Sequence, residues 1–477
     1  MLDRYCILSE YILFTTIEIK IKKNKIIHSV FRVSSMSTDR KAHLTVAIIG
    51  NFESGKSTLA GSFYFHSLSR PISDRREEEE GFSYGWAFDR LRASRERPLT
   101  LDCEYCEFET TDRHFTVISV PAYPEHFLVK NATRGIAVAD AVILVVPANK
   151  GEFVAAMKMD SQMREHLTIA KAHGIQSIIV AVNKIDSVPF PQQQFEEITS
   201  KLRELLKKTR FNVKNIPFIP IAANQDENVY NPSNNLQWYA GQTLLEALTS
   251  LEIPRRPTDM PVRVAVHKKF VIKGTGIIVA GTVLSGTLIP GAQLQILPDI
   301  TNAKRNTQVF SIEIYNKRVN EAIPGDMVGI KLLPTRAVLF IKPGCVLADS
   351  AVRFPLLKSF TATIVLLRHP NSIRAGYQCM ICCHTCHIHC SITEFKRKMN
   401  KHTGEVIEEC PNRLVSGDAA EVEICPIRPM WVDVAADFPR LARFTMRDGP
   451  LIGFGVIQSV SFKQAQREGT LTKAAIK

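Results

Sequence analysis

Counting from His43, the chain "HLTVAIIG" is a β-branched apolar run that stops at a glycine, the pattern of a buried strand feeding a loop. "ADAVILVVPA", "QSIIVAVNKID" and "IPFIPIAAN" repeat the theme, each an unbroken apolar run with no polar alternation. Strands that read this way are covered on both faces. Between them stand "DSQMREHLTIAKAHG" and "FEEITSKLRELLKKT", whose apolar positions recur at helical spacing. Alternating buried strands and crossover helices predict an α/β unit with a mostly parallel sheet and helices on both faces, over residues 43–253.

The pattern then changes. "IPRRPTDMP" is rich in proline and predicts a linker. Beyond it long helical periodicity nearly disappears, and "VRVAVHKKFVIKGTGIIVAGTVLSGTLIPGAQLQILP" shows short strand runs broken by glycine turns. The rhythm resumes in "AIPGDMVGIKLL", "FTATIVLLRHP" and "PMWVDVAADFPRLARFTMRDG". Two antiparallel β-barrel domains are expected, at 258–350 and 355–464, followed by a frayed basic tail at 465–477. Residues 1–35 read as a leader of uncertain status: a loose tail, translated sequence upstream of a start at Met36, or a surface-touching amphipathic segment with six Lys or Arg. Its apolar run is short and broken by Glu10 and Glu18, so no transmembrane segment is expected.

Composition refines this picture modestly. At 477 residues the chain fits two to four domains, and 45 % hydrophobic with 22 % charged residues is ordinary for a globular protein. The net charge of +13 favours a polyanionic partner such as RNA without separating it from an acidic protein or a membrane surface. Of eleven cysteines, five fall within "CMICCHTCHIHC", Cys379 to Cys390. Their C-x-x-C spacings resemble halves of a zinc site. Successive side chains of a strand point to opposite faces, however, so buried thiols are the preferred reading. The absence of a secretory pattern predicts a reducing, cytoplasmic setting.

The chemistry is concentrated in "GNFESGKST", which satisfies G-x-x-x-x-G-K-[ST] between a predicted strand and helix. Gly50, Glu53, Ser54, Gly55, Lys56, Ser57 and Thr58 would cradle phosphates with backbone N–H groups at a helix start. Lys56 would reach the outer phosphates and the Ser57 hydroxyl would hold Mg2+. "NKID" lies at the end of an apolar strand. The Asp186 carboxylate can accept both guanine N–H groups, Asn183 can tie the two loops together, and the Lys184 stem can cover a base face. The pair of motifs favours GTP and GDP over ATP. Thr100, in "RERPLTLD", is either a second Mg2+ ligand of a closing switch or an ordinary polar residue beginning a strand.

"TVISVPAYPEHF", Thr116 to Phe127, stands where a nucleotide hydrolase needs a metal-side carboxylate and a glycine against the γ-phosphate. Ser119 and Ala122 are there instead, and Pro121 and Pro124 remove two N–H donors. Tyr123, Glu125 and His126 are the candidates for positioning water, Tyr123 favoured by its place and His126 by its chemistry, since a phenol with a pKa of about 10 is a poor base. Impaired hydrolysis with surviving nucleotide binding is the expectation.

Taken together, these residues resemble eukaryotic translation elongation factor 1 alpha, the counterpart of EF-Tu. "GNFESGKST" is similar to that family's G-H-V-D-S-G-K-S-T, and "ASRERPLTLD" to its A-E-R-E-R-G-I-T-I-D. "IPRRPTDMPVRVAV", "LLRHPNSIRAGY", "CCHTCHIHC" and "LVSGDAAEV" extend the likeness from about Met36 to the tail. The resemblance implies a cytoplasmic GTP-switched carrier of aminoacyl-tRNA to the ribosomal A site. It also implies a nucleotide exchange factor and actin as further partners. It makes Gly50, Lys56, Ser57 and Thr100 phosphate and magnesium positions, and Asn183, Lys184 and Asp186 the guanine loop.

The departures cluster. Ser119 replaces the family's magnesium-side aspartate, Ala122 its glycine, and Tyr123 its catalytic histidine. Pro98 replaces the glycine before the switch Ile-Thr. Ala222, Ala223 and Asn224 replace a Ser-Gly-Trp loop whose backbone contact to guanine would remain. A divergent paralogue is expected. Three readings compete: a hydrolysing elongation factor, a GTP/GDP-binding module engaging RNA, actin or regulatory proteins, and a folded chain with an empty site.

Overall fold

A computed structural model describes residues 41–67, 84–88, 100, 102–122, 129–272, 276–299, 306–315, 317–333, 338–351, 355–401 and 403–463. The leader, the tail, Pro98, Tyr123, Glu125 and His126 lie outside the described residues.

The first sheet contains β1 (Ala42–Gly50), β2 (Glu104–Glu109), β3 (Arg113–Ser119), β4 (Ala141–Pro147), β5 (Ser177–Asn183) and β6 (Phe218–Pro220). Their order is β2-β3-β1-β4-β5-β6, parallel throughout except for the β2–β3 pair. The unbroken apolar runs have the expected cause. On β1, Leu44, Val46 and Ile48 pack into one core while Ala47 and Ile49 enter another on the opposite face. Helices supply both cores. Pro191–Lys208 starts with a proline, where its missing N–H costs nothing, and buries Ile198, Leu202, Leu205 and Leu206 on one stripe. Gln162–Ala172 is capped by Ser161, whose side chain accepts from Arg164 N at 3.4 Å. Leu244–Ser250 begins with a complete Thr243/Glu246 capping box.

All remaining strands are antiparallel. β7 (Arg263–Ile272), β8 (Gly276–Ser285), β9 (Gln293–Leu297), β10 (Asn306–Ile314), β11 (Lys317–Val319), β12 (Met327–Leu333) and β13 (Val346–Asp349) form one sheet. The β9–β10 pairing closes it into a barrel.

The last domain holds β14 (Leu357–Leu366), β15 (Gln378–Cys383), β16 (Cys386–Met399), β17 (Val406–Glu409), β18 (Ala419–Pro426), β19 (Arg443–Arg447) and β20 (Leu451–Phe462). Here the expectation of a second plain barrel is corrected. The 14-residue β16 is bent by irregular register at Ile392/Glu394, Phe395/Arg397 and Lys398/Met399, and runs out into a ribbon with β17. All four β17 residues are exposed and the strand pairs with β16 alone, so this sheet ends in an open edge. Bulges explain the departure, because each adds a residue to one strand and re-aims the rest of that strand.

Within residues 42–477, one compact unit, buried charges tie the three domains together. Asp140, at the mouth of β4, accepts from Arg256 of the linker at 2.8 Å and from Arg440 of the last domain. Burial pushes its carboxyl up, but Arg440 and Arg256 outweigh this and hold it down at about 2. Arg263 on β7 faces Asp433 at 3.6 Å. Among the described residues no helix is long and apolar enough to cross a membrane.

Candidate nucleotide site

Five parallel strands end on one side of the first sheet: β1 at Gly50, β3 at Ser119, β4 at Pro147, β5 at Asn183 and β6 at Pro220. That carboxyl edge is where open α/β sheets bind ligands. The loop after β1 turns sharply. A Cβ on Gly50 would stand 2.3 Å from Val145 O, and one on Gly55, whose φ is +93°, would stand 2.1 Å from Asn183 Nδ2. Both places therefore require glycine. Glu53 is exposed with a left-handed φ of 58°, and Ser54 is fully buried. Thr58 continues the half-buried first turn of the helix Lys56–Ser67.

The space made by Gly55 is filled by Asn183. Its amide donates to Ser54 O at 3.0 Å, and its Oδ1 accepts from Ala223 N at 3.0 Å. One buried side chain thus bridges the phosphate loop and the turn after β6. Lys184 stands at φ 63° with its ammonium 2.8 Å from Glu152. Asp186 is exposed, and Gln225 donates to its Oδ2 at 3.3 Å. Ala222 and Ala223 are buried while Asn224 is exposed. Lys56 is 7 % exposed and donates to Asn51 O at 2.6 Å, folded over the loop it serves.

Ser57 Oγ and Thr100 Oγ1 lie 2.8 Å apart. Two hydroxyls separated by 43 positions in sequence converge here, and the oxygen ligands that a hard cation takes are of this kind, so the pair fits Mg2+. The opposite wall is different. Ser119 ends β3 opposite Ile48, is fully buried, and its Oγ has no hydrogen-bond partner among the described residues. Ala122 is buried beyond it. This wall offers a small neutral hydroxyl and a methyl group, with no carboxylate at position 119.

Sequence reasoning missed His166. It lies fully buried on the inner stripe of Gln162–Ala172 with Met163, Leu167 and Ala170. Its Nδ1 accepts from Gly50 N at 3.4 Å. Burial, then Lys56 and Arg447, pushes the ring down to about 3, so it is neutral and remains an acceptor. A histidine inside an apolar helical stripe was the available signal. The neighbouring Glu165 pairs with Arg447 of β19, linking this helix to the last domain.

The cysteine hairpin is separate from this site. Cys379, Cys383, Cys386 and Cys390 enter the core of the last domain, whereas Cys382 belongs to the opposite face. Among the described residues no group of three or more His, Cys, Asp or Glu converges to hold a metal ion.

With this geometry in view, comparisons with known proteins are specific. The family described as Elongation factor Tu GTP binding domain matches residues 41–254, and the GTP-eEF1A C-terminal domain-like family matches residues 359–458. Elongation factor 1-alpha of Neurospora crassa is 35 % identical over 464 residues, covering 93 % of this chain and 99 % of the relative. Elongation factor 1-alpha-B of Schizosaccharomyces pombe is 36 % identical over 459 residues, covering 92 % and 98 %. Among solved structures, the Saccharomyces cerevisiae Ski7 GTPase-like domain bound to GDP and inorganic phosphate aligns with a TM-score of 0.70 at 15 % identity, covering 87 % of this chain and 97 % of that one. Translation elongation factor SelB of Methanococcus maripaludis, with a GTP analogue, gives 0.65 at 20 % identity over 89 % and 81 %. These two likenesses speak for the fold alone. A match to the GTP binding domain family, a second match in the last domain, and sequence identity that runs nearly end to end make this chain a divergent member of the elongation factor 1-alpha family.

Proposed function

We propose that this protein carries aminoacyl-tRNA to the ribosomal A site under the control of bound GTP, and that its own hydrolysis of that GTP is slow. The observation that carries the reading is an asymmetry within the site. On the side expected to hold the nucleotide, Asn183 bridges the phosphate loop and the turn after β6, and Ser57 meets Thr100. The hydrolytic half lacks charge: Ser119 is buried and neutral, and Ala122 follows it.

Each residue's part follows from its position. Backbone N–H groups from Glu53 to Thr58 orient the phosphates at the start of Lys56–Ser67. Lys56 leaves Asn51 O to meet the outer phosphates. Asp186, shared with Gln225 in this structure, reads the guanine N–H groups, while Ala222, Ala223 and Asn224 close over the base edge. Bound Mg2+, held by Ser57 and Thr100, would offset phosphate charge. Ser119 would offer a hydroxyl on the metal side without adding negative charge, and Tyr123 or His126 would orient the attacking water. An exchange factor would renew GTP, and family membership supports a cytoplasmic setting.

Single-turnover GTP hydrolysis with and without programmed ribosomes, alongside aminoacyl-tRNA binding, tests this reading. Tight GTP-dependent tRNA binding with weak turnover is expected. Fast turnover in the absence of ribosomes overturns the slow-hydrolysis part, and loss of tRNA binding in the GTP state overturns delivery. The buried, neutral Ser119 favours one second reading: a GTP/GDP-binding module that engages RNA, actin or regulatory proteins without turnover.

A further inference from the structure

The turn after β6 holds an aspartate in an uncommon backbone state. Asp226 has a φ of 57°, a left-handed conformation that an aspartate keeps when its side chain is tied down. Both carboxylate oxygens are tied. Ser62 donates to Oδ1 at 2.6 Å and Tyr84 to Oδ2 at 2.7 Å. The Tyr230 hydroxyl lies 2.8 Å from the same Ser62 oxygen. Ser62 is fully buried and Tyr84 is 1 % exposed, so these donors are shielded from competing water.

The two donors come from the metal side of the site. Ser62 belongs to the helix that starts at Lys56. Tyr84 opens the short helix Tyr84–Phe88, where a Cβ added to Gly85 would stand 3.5 Å from Ser57 Cβ and 3.6 Å from Thr58 N. That helix therefore lies directly against the serine expected to hold Mg2+. On the other side, the Asp226 turn carries Ala223, anchored to Asn183, and Gln225, which reaches Asp186 at 3.3 Å. A single carboxylate connects the element beneath Ser57 to the turn that aims the base-reading Asp186.

We propose that Asp226 is a positioning residue for base recognition, held by Tyr84, so that discrimination for guanine depends on a side chain next to the magnesium serine. The proposal rests on the guanine-nucleotide reading above and adds the group that sets its selectivity. Guanine offers Asp186 an N1–H and an exocyclic amine, whereas hypoxanthine offers N1–H alone. A loosened turn moves Gln225 and Asp186 and forfeits the second bond first. The phosphates are common to the two nucleotides, so comparing them isolates the contact to the base.

The test compares GDP with inosine diphosphate by calorimetry on the full chain, using Asp226→Asn and the milder Tyr84→Phe, with thermal unfolding as a check on folding. Both variants are expected to weaken GDP about fivefold or more, with inosine diphosphate changed less than about twofold. Tyr84→Phe keeps its ring and packing, so it answers the question if Asp226→Asn fails to fold. Equal weakening of the two nucleotides, or no change in either, overturns the proposal while leaving guanine-nucleotide binding in place. A wild-type chain that binds neither nucleotide overturns both.

Discussion

Gly55 shows how tightly one residue can be specified. Its φ of +93° already disfavours any side chain, and a Cβ there would meet Asn183 Nδ2 at 2.1 Å. Gly276 is a natural comparison, with a φ of +98° but nothing within 4 Å of its added Cβ. Gly276→Ala should cost about 1 kcal/mol through backbone strain alone. Gly55→Ala should cost roughly 2–4 kcal/mol, because Asn183 must also surrender bonds to Ser54 and Ala223, and GDP binding should be lost. Urea denaturation and nucleotide titration of the two variants check both figures. Ser119 makes the opposite point. Ser119→Asp places an unpaired carboxylate in a fully buried position, so the nucleotide-free protein should melt several degrees lower, with ~1–3 kcal/mol lost. Adding GTP and Mg2+ should recover most of that loss in a thermal-shift assay, and hydrolysis should speed up when Ala122→Gly and Tyr123→His accompany the change.

At the scale of elements, legibility in the sequence tracked how locally each feature is encoded. The phosphate loop and "NKID" are contiguous strings at strand ends, so their types and places were visible without a structure. His166 reaches Gly50 across 116 positions and Ser62 reaches Asp226 across 164, and neither distance leaves a trace in local periodicity. The bend of β16 was equally hidden, since bulges depend on the partner strand. The β15–β16 hairpin shows the value of alternation: Cys379 and Cys383 face the core while Cys382 faces away. Burial pushes these thiols up, Cys382 to about 11 and Cys379 and Cys386 to about 12, so none is a ready thiolate. Iodoacetamide on the native protein should therefore label exposed Cys410, with the hairpin cysteines reacting only on unfolding. Peptide mapping by mass spectrometry checks this; early labelling at Cys382 would contradict the packing described.

The whole molecule carries its acid sensitivity in histidines gathered from three domains. His173 follows the helix Gln162–Ala172, His267 lies on β7, and His384 and His387 lie at the β15–β16 hairpin. The last-domain His384 acts electrostatically on each of the other three. Burial first, then neighbouring cations and His384, pushes His173, His267 and His387 from 6.5 down to about 3. The cations differ: Arg443 for His173, Arg134 and Lys268 for His267, and Arg134, Lys130 and Arg447 for His387. The sign follows from proton counting. Between pH 6.5 and about 3 the unfolded chain binds these protons and the folded chain does not, so stability falls as pH falls through that window. Each ring should cost about 2 kcal/mol at pH 5 relative to pH 7. Asp140 titrates in a different window, because its folded value of about 2 lies below the ordinary 3.8 and its contribution is lost only at more acid pH. His267→Gln can keep a bond to Thr282, which His267 Nε2 meets at 2.8 Å, and removes one titrating ring. That variant should therefore shed about 2 kcal/mol of the stability difference between pH 7 and pH 5. Denaturant unfolding at the two pH values measures it, and an unchanged slope would mean that the buried ring does not contribute to acid lability.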